Sequence, residues 1–331
     1  MNPSPPELHL RYPELAATLP HLPLGRRPTP LTRLAVPGRG NRLWCKDDSG
    51  FGDGGWGGNK VRKLEWILPD VTARGARRIL TVGALGTNWG LATTRYARTL
   101  GVDTELALVD QPMDEHVRAQ LARIHAAGAT VHRTRTKART IAAAPWLFAR
   151  HPMSYYLPAG GSTPLGTVGY VEAALELAAQ VRRREMPEPA AVVTAVGSGG
   201  TAAGLVLGMR LAGMRTRVVA VVVNDTLPLA ARNLLGLARR TERLLRDRGA
   251  RLGPVDLAPG SLLVTRRWLG PGYGHRTAEA DAAIGIAAAA GLTLDPVYTA
   301  KAFAAALALD RHPMFGDAPI VFVDTHGPRA G

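Results

Sequence analysis

The sequence predicts an α/β fold with two open, mostly parallel, twisted sheets flanked by helices. Short apolar runs alternate with segments in which apolar residues recur at helical spacing, a pattern typical of parallel sheets with helical crossovers. Residues 191–196 and 218–223 form continuous apolar, β-branched runs, as expected for strands buried on both faces. The units fall into two groups, so we predict a large domain from 1–55 plus 160–331, a small domain from 56–159, and a ligand cleft between them.

The elements are predicted in chain order from these patterns. The proline-rich stretch up to about residue 40 favours extended chain on the surface. Strands are predicted where apolar or β-branched residues cluster between turn residues: 42–46, 79–83, 104–109, 130–132, 155–157, 191–196, 218–223 and 320–323. Helices are predicted where apolar residues recur every three or four positions: 60–68, 91–100, 114–127, 142–148, 166–183, 202–211, 229–248, 277–290 and 302–309.

Charge and cysteine content limit the partners and the compartment. The formal charge of +15 is high, but the arginines are spread along the chain, mostly in pairs, so we predict no nucleic-acid partner. Cys45 is the only cysteine, which excludes an intrachain disulfide and fits a reducing compartment. The first residues lack a signal-peptide pattern and no apolar run has membrane-spanning length, so we predict a cytoplasmic protein with no membrane partner. No metal site is predicted.

Lys60 is the first candidate for chemistry, since the chain contains only five lysines against many arginines. A lysine amine can lose its proton and attack a carbonyl, whereas arginine stays charged. It follows a glycine-rich stretch, in which the glycines at 54, 55, 57 and 58 let the backbone approach a ligand. The alternative is an ordinary solvated lysine at the start of a helix.

A second glycine-rich turn follows the buried run 191–196 and consists of Gly197, Ser198, Gly199, Gly200 and Thr201. Successive backbone N–H groups at the start of a helix bind phosphate through hydrogen bonds and the helix dipole. The alternative is a tight turn that binds nothing. A lysine able to form a Schiff base and a phosphate cradle together indicate pyridoxal 5′-phosphate (PLP) as cofactor.

Other candidates also lie near the ends of predicted strands or in loops. Thr87 and Asn88 offer a hydroxyl and an amide at a helix start, where both residues also serve as ordinary N-caps. Tyr273 and Tyr298 could stack on a cofactor or move a proton, although most tyrosines only pack. Thr325 directly follows the last buried strand, so its side chain is expected at the cleft.

Several longer motifs in the same order resemble the PLP-dependent family that contains D-cysteine desulfhydrase and 1-aminocyclopropane-1-carboxylate (ACC) deaminase, of fold type II. They are Gly57-Gly58-Asn59-Lys60-Val61-Arg62-Lys63-Leu64-Glu65, Pro158-Ala159-Gly160-Gly161-Ser162, Gly169-Tyr170-Val171-Glu172 and Asp295-Pro296-Val297-Tyr298-Thr299. The resemblance extends over most of the chain, from about Pro30 to Gly327. It implies a PLP-dependent enzyme with the cofactor in the interdomain cleft, and favours a homodimer.

The resemblance also implies a role for each candidate residue. Lys60 would bind PLP covalently and shuttle the Cα proton, while Tyr273 and Tyr298 would lie near the substrate and the ring. Cofactor contacts would come from Asn88, Gly197, Ser198, Gly199, Gly200, Thr201 and Thr325. Substrate contacts would come from Thr87, Asn88, Trp89 and Gly161, and Thr87 would place its hydroxyl for catalysis.

Two departures from the family pattern refine the predicted function. Gly86-Thr87-Asn88-Trp89 stands where the family usually has Gln-Ser-Asn-His, which predicts a reshaped substrate pocket. Thr299 stands where ACC deaminases tend to carry glutamate, so ring opening is disfavoured. We therefore predict a lyase that deprotonates Cα of a small amino acid and eliminates its β-substituent, releasing keto acid and ammonia. The alternatives are β-replacement, racemisation or other secondary-metabolite amino-acid chemistry, and a scaffold that binds without turnover.

Overall fold

The structure is a computed structural model that describes residues 4–36, 42–52 and 56–326. Gly54, Gly55 and the first three residues, on which two of the expectations above depend, lie outside the described residues. The strands are β1 (Leu31–Arg33), β2 (Leu43–Asp47), β3 (Arg78–Ala84), β4 (Asp103–Val109), β5 (Thr130–Arg135), β6 (Tyr155–Leu157), β7 (Ala191–Val196), β8 (Arg217–Val222), β9 (Leu262–Thr265) and β10 (Ile320–Asp324). The α-helices are α1 (Glu7–Arg11), α2 (Leu15–Thr18), α3 (Asn59–Ala73), α4 (Asn88–Arg98), α5 (Glu115–Ala126), α6 (Lys137–Arg150), α7 (Pro164–Arg182), α8 (Gly200–Leu211), α9 (Ala231–Asp247), α10 (Ala278–Ala289) and α11 (Thr299–Leu309).

The strands form two sheets, which confirms the predicted α/β class. One sheet has six strands in the order β1–β2–β10–β7–β8–β9, all parallel except for the antiparallel β1–β2 pair. The other has four parallel strands in the order β5–β4–β3–β6. The division into domains at 55/56 and 159/160 stays a prediction.

Helices cover both faces of the larger sheet. On one face Val192 and Val321 pack with residues of α7, α8 and α9, among them Val206 and Leu235. On the other face Phe322 lies against Phe303 of α11, with the alanines of α10 alongside. The continuous apolar strands β7, β8 and β10 are therefore buried on both sides, as their sequences predict.

The smaller sheet is covered mainly from one side, where α3, α4 and α5 supply the core residues. Its other face carries a much smaller cluster, in which Leu147 of α6 meets Leu80 and Ala107. Helix α3 also packs on α7, where a Cβ on Gly169 would lie 2.1 Å from the carbonyl oxygen of Arg62. A glycine at 169 thus permits the close approach of the two helices.

Three details of the predicted element map are wrong. The proline-rich start forms the short helices α1 and α2, which bury Leu8 and Leu15, because these isolated leucines find partners in a distant helix. Strands β1 and β9 were not predicted, since each is short and lies among prolines or glycines at a sheet edge. Helices α4, α6, α8 and α11 begin two to five residues earlier than expected, at Asn88, Lys137, Gly200 and Thr299, because their first residues carry no apolar periodicity.

No helix within the described ranges is both long enough and apolar enough to cross a bilayer.

Candidate active site

A cavity of about 580 Å³ is lined by residues that follow strands of both sheets. Open parallel sheets bind ligands at the carboxyl ends of their strands, which is where this cavity lies. The predicted site residues on its wall are Lys60, Thr87, Asn88, Trp89, Gly197, Ser198, Gly199, Thr201, Tyr273, Tyr298 and Thr325. Two predicted site residues, Gly161 and Gly200, are not among the residues that line the cavity.

Lys60 is the second residue of α3, so its position depends on how that helix begins. Gly58 precedes the helix with φ of 95°, a left-handed backbone conformation that favours glycine. Asn59 donates its backbone N–H to the carbonyl of Thr325 (3.3 Å) and its amide to Thr201 Oγ1 (3.1 Å). These two bonds join the start of α3 to the end of β10 and to α8.

The Lys60 amine has an altered acidity. Burial lowers its pKa to about 8, against the opposing effect of the nearby Asp295 carboxylate. A substantial fraction of the amine is therefore neutral near pH 8, as attack on a carbonyl requires.

The turn that precedes α8 presents hydroxyls and backbone N–H groups to the cavity. Gly199 has φ of 99°, and Ser198 Oγ accepts a hydrogen bond from Ser162 Oγ (2.8 Å). The N–H of Gly200 donates to the same Ser162 hydroxyl (3.0 Å). This hydrogen-bonded turn at a helix N-terminus has the features of an anion site.

Lys63 is a residue of this site that the sequence reasoning missed. Its amine donates to the carbonyl of Gly160 (2.8 Å) and lies 3.0 Å from where a Cβ on Gly200 would be. Burial, followed by repulsion from Lys60, holds the pKa of this amine well below its usual range. The signal was available, because residues three apart share a helix face and Lys60 was already a candidate.

Thr87 and Asn88 begin α4 at the cavity wall. Thr87 is the N-cap, and its Oγ1 accepts the N–H of Gly90 (3.1 Å), so its capping role is met. Asn88 Oδ1 accepts a hydrogen bond from Gln120 Nε2 (2.8 Å). With its oxygen engaged, the amide NH₂ is the part of Asn88 that is free to serve a ligand.

Trp89 lines the cavity as an apolar wall. Its indole N–H donates to Thr81 Oγ1 (2.8 Å), and the residue is buried. A Cβ on Gly161 would lie 2.4 Å from the indole ring, so this ring covers Gly161. The indole ring of Trp89 therefore fills the space next to Gly161, which is not among the residues that line the cavity.

Tyr273 and Tyr298 are brought together although they are 25 residues apart in the chain. Their hydroxyls are 2.6 Å apart, and burial raises the pKa of both groups. A Cβ on Gly197 would lie 2.9 Å from the ring of Tyr298, so the glycine lets this ring lie against the glycine-rich turn at 197–201.

Asp295 and His326 also line the cavity, and neither was predicted as a site residue. The Asp295 carboxylate accepts the backbone N–H of Val297 and both the N–H and hydroxyl of Thr299, which orders the start of α11. His326 Nδ1 lies 3.6 Å from Asp295 Oδ2. Asp295 was identified in the sequence only as part of the Asp295-Pro296-Val297-Tyr298-Thr299 motif, which does not indicate this ionic contact.

The family of this chain follows from comparison with known proteins. Residues 22–325 match the family model described as pyridoxal-phosphate dependent enzyme. The chain belongs to this family. Pyridoxal phosphate is therefore its cofactor, and the sequence-based family assignment is confirmed.

Individual relatives are similar over nearly the whole chain. D-cysteine desulfhydrase of Serratia proteamaculans is 31% identical over 330 residues, covering 95% of this chain and 96% of that protein. A putative ACC deaminase of Pyrococcus furiosus is 31% identical over 329 residues, covering 97% and 95%. The crystal structure of an ACC deaminase homologue matches with a TM-score of 0.78 and 29% identity, covering 98% of this chain and 95% of that one.

The cavity residues fit this cofactor. The start of α8 and the Lys63 amine supply N–H donors for a phosphate, and the Lys60 amine lies on the same cavity wall. Glycines stand where a Cβ would intrude: at Gly160 it would lie 2.1 Å from Ser198 Oγ, and at Gly200 2.9 Å from Ser162 Oγ. These glycines therefore let Gly160, Ser162 and the turn at 197–201 pack closely around the start of α8.

Proposed function

We propose that this enzyme is a lyase that deprotonates Cα of a small amino acid and eliminates the β-substituent, giving a keto acid and ammonia. D-Cysteine is the first substrate to test, since the D-cysteine desulfhydrase of Serratia proteamaculans is similar over the full chain. The observation that carries the proposal is the Lys60 amine, of pKa about 8, on one cavity wall with the hydrogen-bonded Tyr273–Tyr298 pair.

Lys60 would hold the cofactor and move the proton. Its Nζ would be the point of covalent attachment, and once released by the substrate it would take the proton from Cα. When bound, the cofactor supplies an electron sink for the charge that develops at Cα. The lowered pKa of Lys60 supports both roles, because each needs the neutral amine.

The other cavity residues would orient the two ligands. Ser198, Thr201 and Lys63 would bind the phosphate together with the backbone N–H groups at the start of α8. The amide NH₂ of Asn88 would donate to the ring oxygen, and the hydroxyl of Thr325 would contact the ring nitrogen. Thr87 would bind the substrate carboxylate, with Trp89 limiting the space beside it.

The hydroxyl pair would complete the elimination. As the Cβ–X bond breaks, the substituent X leaves with the bonding electrons and takes up a proton from Tyr273 or Tyr298. Hydrolysis of the remaining enamine then gives keto acid and ammonium. A tyrosine of ordinary pKa is protonated at neutral pH, as a proton donor requires, and the short contact between the two hydroxyls allows one to replace the proton that the other gives up.

The test uses the purified holoenzyme with matched D- and L-amino acids, among them cysteine, serine, cysteate and ACC. We expect keto acid from at least one of them, and a loss of about a thousandfold or more in turnover for Lys60→Ala. Borohydride reduction followed by mass spectrometry is expected to find the cofactor attached at Lys60 in the wild-type protein and at no position in the variant.

Three other results would contradict the elimination. A change in the cofactor absorbance with the opposite enantiomer as product would indicate racemisation. A new amino acid formed only when a thiol is added would indicate β-replacement. Cofactor binding with no change on addition of any amino acid would indicate a binding scaffold. The homodimer stays a prediction.

A further inference from the structure

The outer part of the cavity is formed by the smaller sheet and carries two basic side chains that lack an acidic partner within the described part of the chain. We define the cavity mouth by its exposed lining residues at the ends of β4 and β5 and the start of α6: Asp110, Arg135, Thr136 and Lys137. The glycine-rich turn at 197–201 belongs to the six-stranded sheet, at the end of β7. The mouth and the turn at 197–201 are therefore carried by different sheets.

Two cations at the mouth lack a carboxylate partner. The Asp110 carboxylate is already paired, since its Oδ1 accepts a hydrogen bond from Arg133 Nε at 2.8 Å. Arg135 and Lys137 have no acidic side chain within ion-pair distance among residues 4–36, 42–52 and 56–326. Two positive charges on the wall of one cavity are matched by no negative charge of the described chain.

The backbone at Arg135 is strained in a way that places this residue at the mouth. Its φ is 68°, and the pairing of β4 with β5 shifts register there, so that a bulge separates Arg133 from Arg135. Bulges beside active sites commonly redirect a side chain, and left-handed backbone at a non-glycine residue has an energetic cost.

Arg184 is the other described non-glycine residue with positive φ, and its conformation has an ordinary explanation. It follows the end of α7 and donates its N–H to the carbonyl of Val181, as helix-terminating left-handed residues do. Arg135 ends β5 just before α6, where the N–H of Thr136 donates to the carbonyl of Thr134 (2.8 Å), so its positive φ belongs to a tight turn. This turn brings the exposed side chains of Arg135 and Lys137 to the same cavity mouth.

We propose that the substrate of this enzyme carries a second anionic group on its side chain, a carboxylate, sulfonate or phosphate, which Arg135 and Lys137 bind at the cavity mouth. The inference rests on the proposed function, because it takes the substrate to be an amino acid held at Lys60. A guanidinium and an ammonium both form charge-assisted hydrogen bonds to oxyanions. Substrates without the second anion lose these contacts.

Aspartate and asparagine provide the sharpest probe, because they have nearly the same shape and differ in side-chain charge. Inhibition of the holoenzyme by each, in both enantiomers, gives a ratio of binding constants that does not depend on a leaving group. We expect aspartate of one hand to bind about tenfold or more tightly than asparagine, and this preference to weaken in high salt. The preference is expected to fall to near unity in the Arg135→Gln/Lys137→Gln variant.

Arg139→Gln is the matched control. Arg139 is exposed in the first turn of α6, two residues from Lys137, and does not line the cavity. Its replacement removes one nearby positive charge without touching the mouth, so the aspartate preference should persist. Parallel kcat/KM measurements with O-phosphoserine against serine, and cysteate against cysteine, identify which oxyanion is preferred.

The outcomes separate this inference from the proposed function. If a neutral amino acid is turned over and the wild-type protein does not prefer aspartate, the inference fails and the lyase function stands. If the preference exists but survives the double substitution or disappears in Arg139→Gln, general surface charge is responsible and the inference fails. If no amino acid binds or reacts, the proposed function itself has failed.

Discussion

Helix α3 carries basic side chains on two faces, and the two faces differ in whether a carboxylate lies close to them. Arg62 donates to both oxygens of Asp48 at 2.8 Å and to both oxygens of Glu176 at 3.1 and 3.2 Å. Lys60 and Lys63, one turn of the helix apart, face the cavity with no carboxylate within ion-pair distance among the described residues.

The difference decides what each cation can do. Burial alone lowers the pKa of a buried base, but Asp48 and Glu176 raise the pKa of Arg62 well above its usual range. The same burial without a close carboxylate lowers the pKa of Lys60 and of Lys63. On one face, Arg62 therefore stays charged and links the end of β2 to α7. On the other face, the amines of Lys60 and Lys63 can lose their protons and are available for chemistry.

Replacement of the paired cation should have the largest effect. Arg62→Met leaves the buried Asp48 without a cationic partner and leaves Glu176 with Lys46 alone, so we expect the free energy of unfolding to fall by about 3 kcal/mol. Urea denaturation of the cofactor-free protein measures this. The control is Arg74→Met at the end of the same helix, where the side chain is 66% exposed. A loss for Arg62→Met as small as that of the control would refute the contrast.

The second largest effect is expected on the pKa of Lys60, when the nearby Asp295 is replaced. In cofactor-free protein labelled with ¹³C-lysine, the NMR titration of this amine should have its midpoint near pH 8. Asp295→Asn removes the charge that favours the ammonium form, so the midpoint should fall by about half to one pH unit. Five lysines make the spectrum simple enough to assign by substitution. A midpoint near the ordinary value of about 10.4 would show that the amine is not desolvated.

Replacement of the unpaired cation should change stability less than replacement of Arg62. Lys63→Met removes two hydrogen bonds, to Gly160 and Ser162, but also removes a charge that is unfavourable to bury. The two effects oppose one another, so we expect a net change of about 1 kcal/mol or less in cofactor-free protein. A loss comparable with that of Arg62→Met would mean that Lys63 has a hidden structural partner.

A surface ion pair gives the smallest effect and the baseline for the series. Arg246 and Glu242 are one turn apart on α9, with Nη2 2.9 Å from Oε1, and the arginine is 42% exposed. Glu242→Gln should lower the unfolding free energy by less than about 0.5 kcal/mol, because solvent screens such pairs. A larger loss would show that charge pairs in this protein stabilise it irrespective of burial.

The fold class could be predicted because it depends on patterns within short segments. The strands β7, β8 and β10 are largely continuous apolar runs, and the buried residues of α9 recur at helical spacing. The edge strands β1 and β9 could not be found this way, since their pairing partners supply the structure that their own short sequences do not indicate. Helix starts such as Asn88 were misplaced because polar N-terminal residues are invisible to apolar periodicity.

Much of the candidate site could also be predicted, because its residues follow buried strands or glycine-rich turns. The ionic partners could not, since they are far apart in the chain: Glu176 is 114 residues from Arg62. Asp295 was read only as part of a motif, and its influence on Lys60 depends on the packed fold. The roles assigned to individual cavity residues stay predictions until the variants above are measured.

Because the chain has only five lysines, a lysine-specific protease has few sites at which it can cut the folded protein. Lys46, Lys63 and Lys301 are buried, Lys60 is partly buried, and Lys137 is exposed at the first position of α6. That helix has Leu147 as its buried residue, so local opening there should be inexpensive. A protease specific for lysine should therefore nick the native protein first after Lys137, and a ligand seated at the cavity mouth should slow that cut.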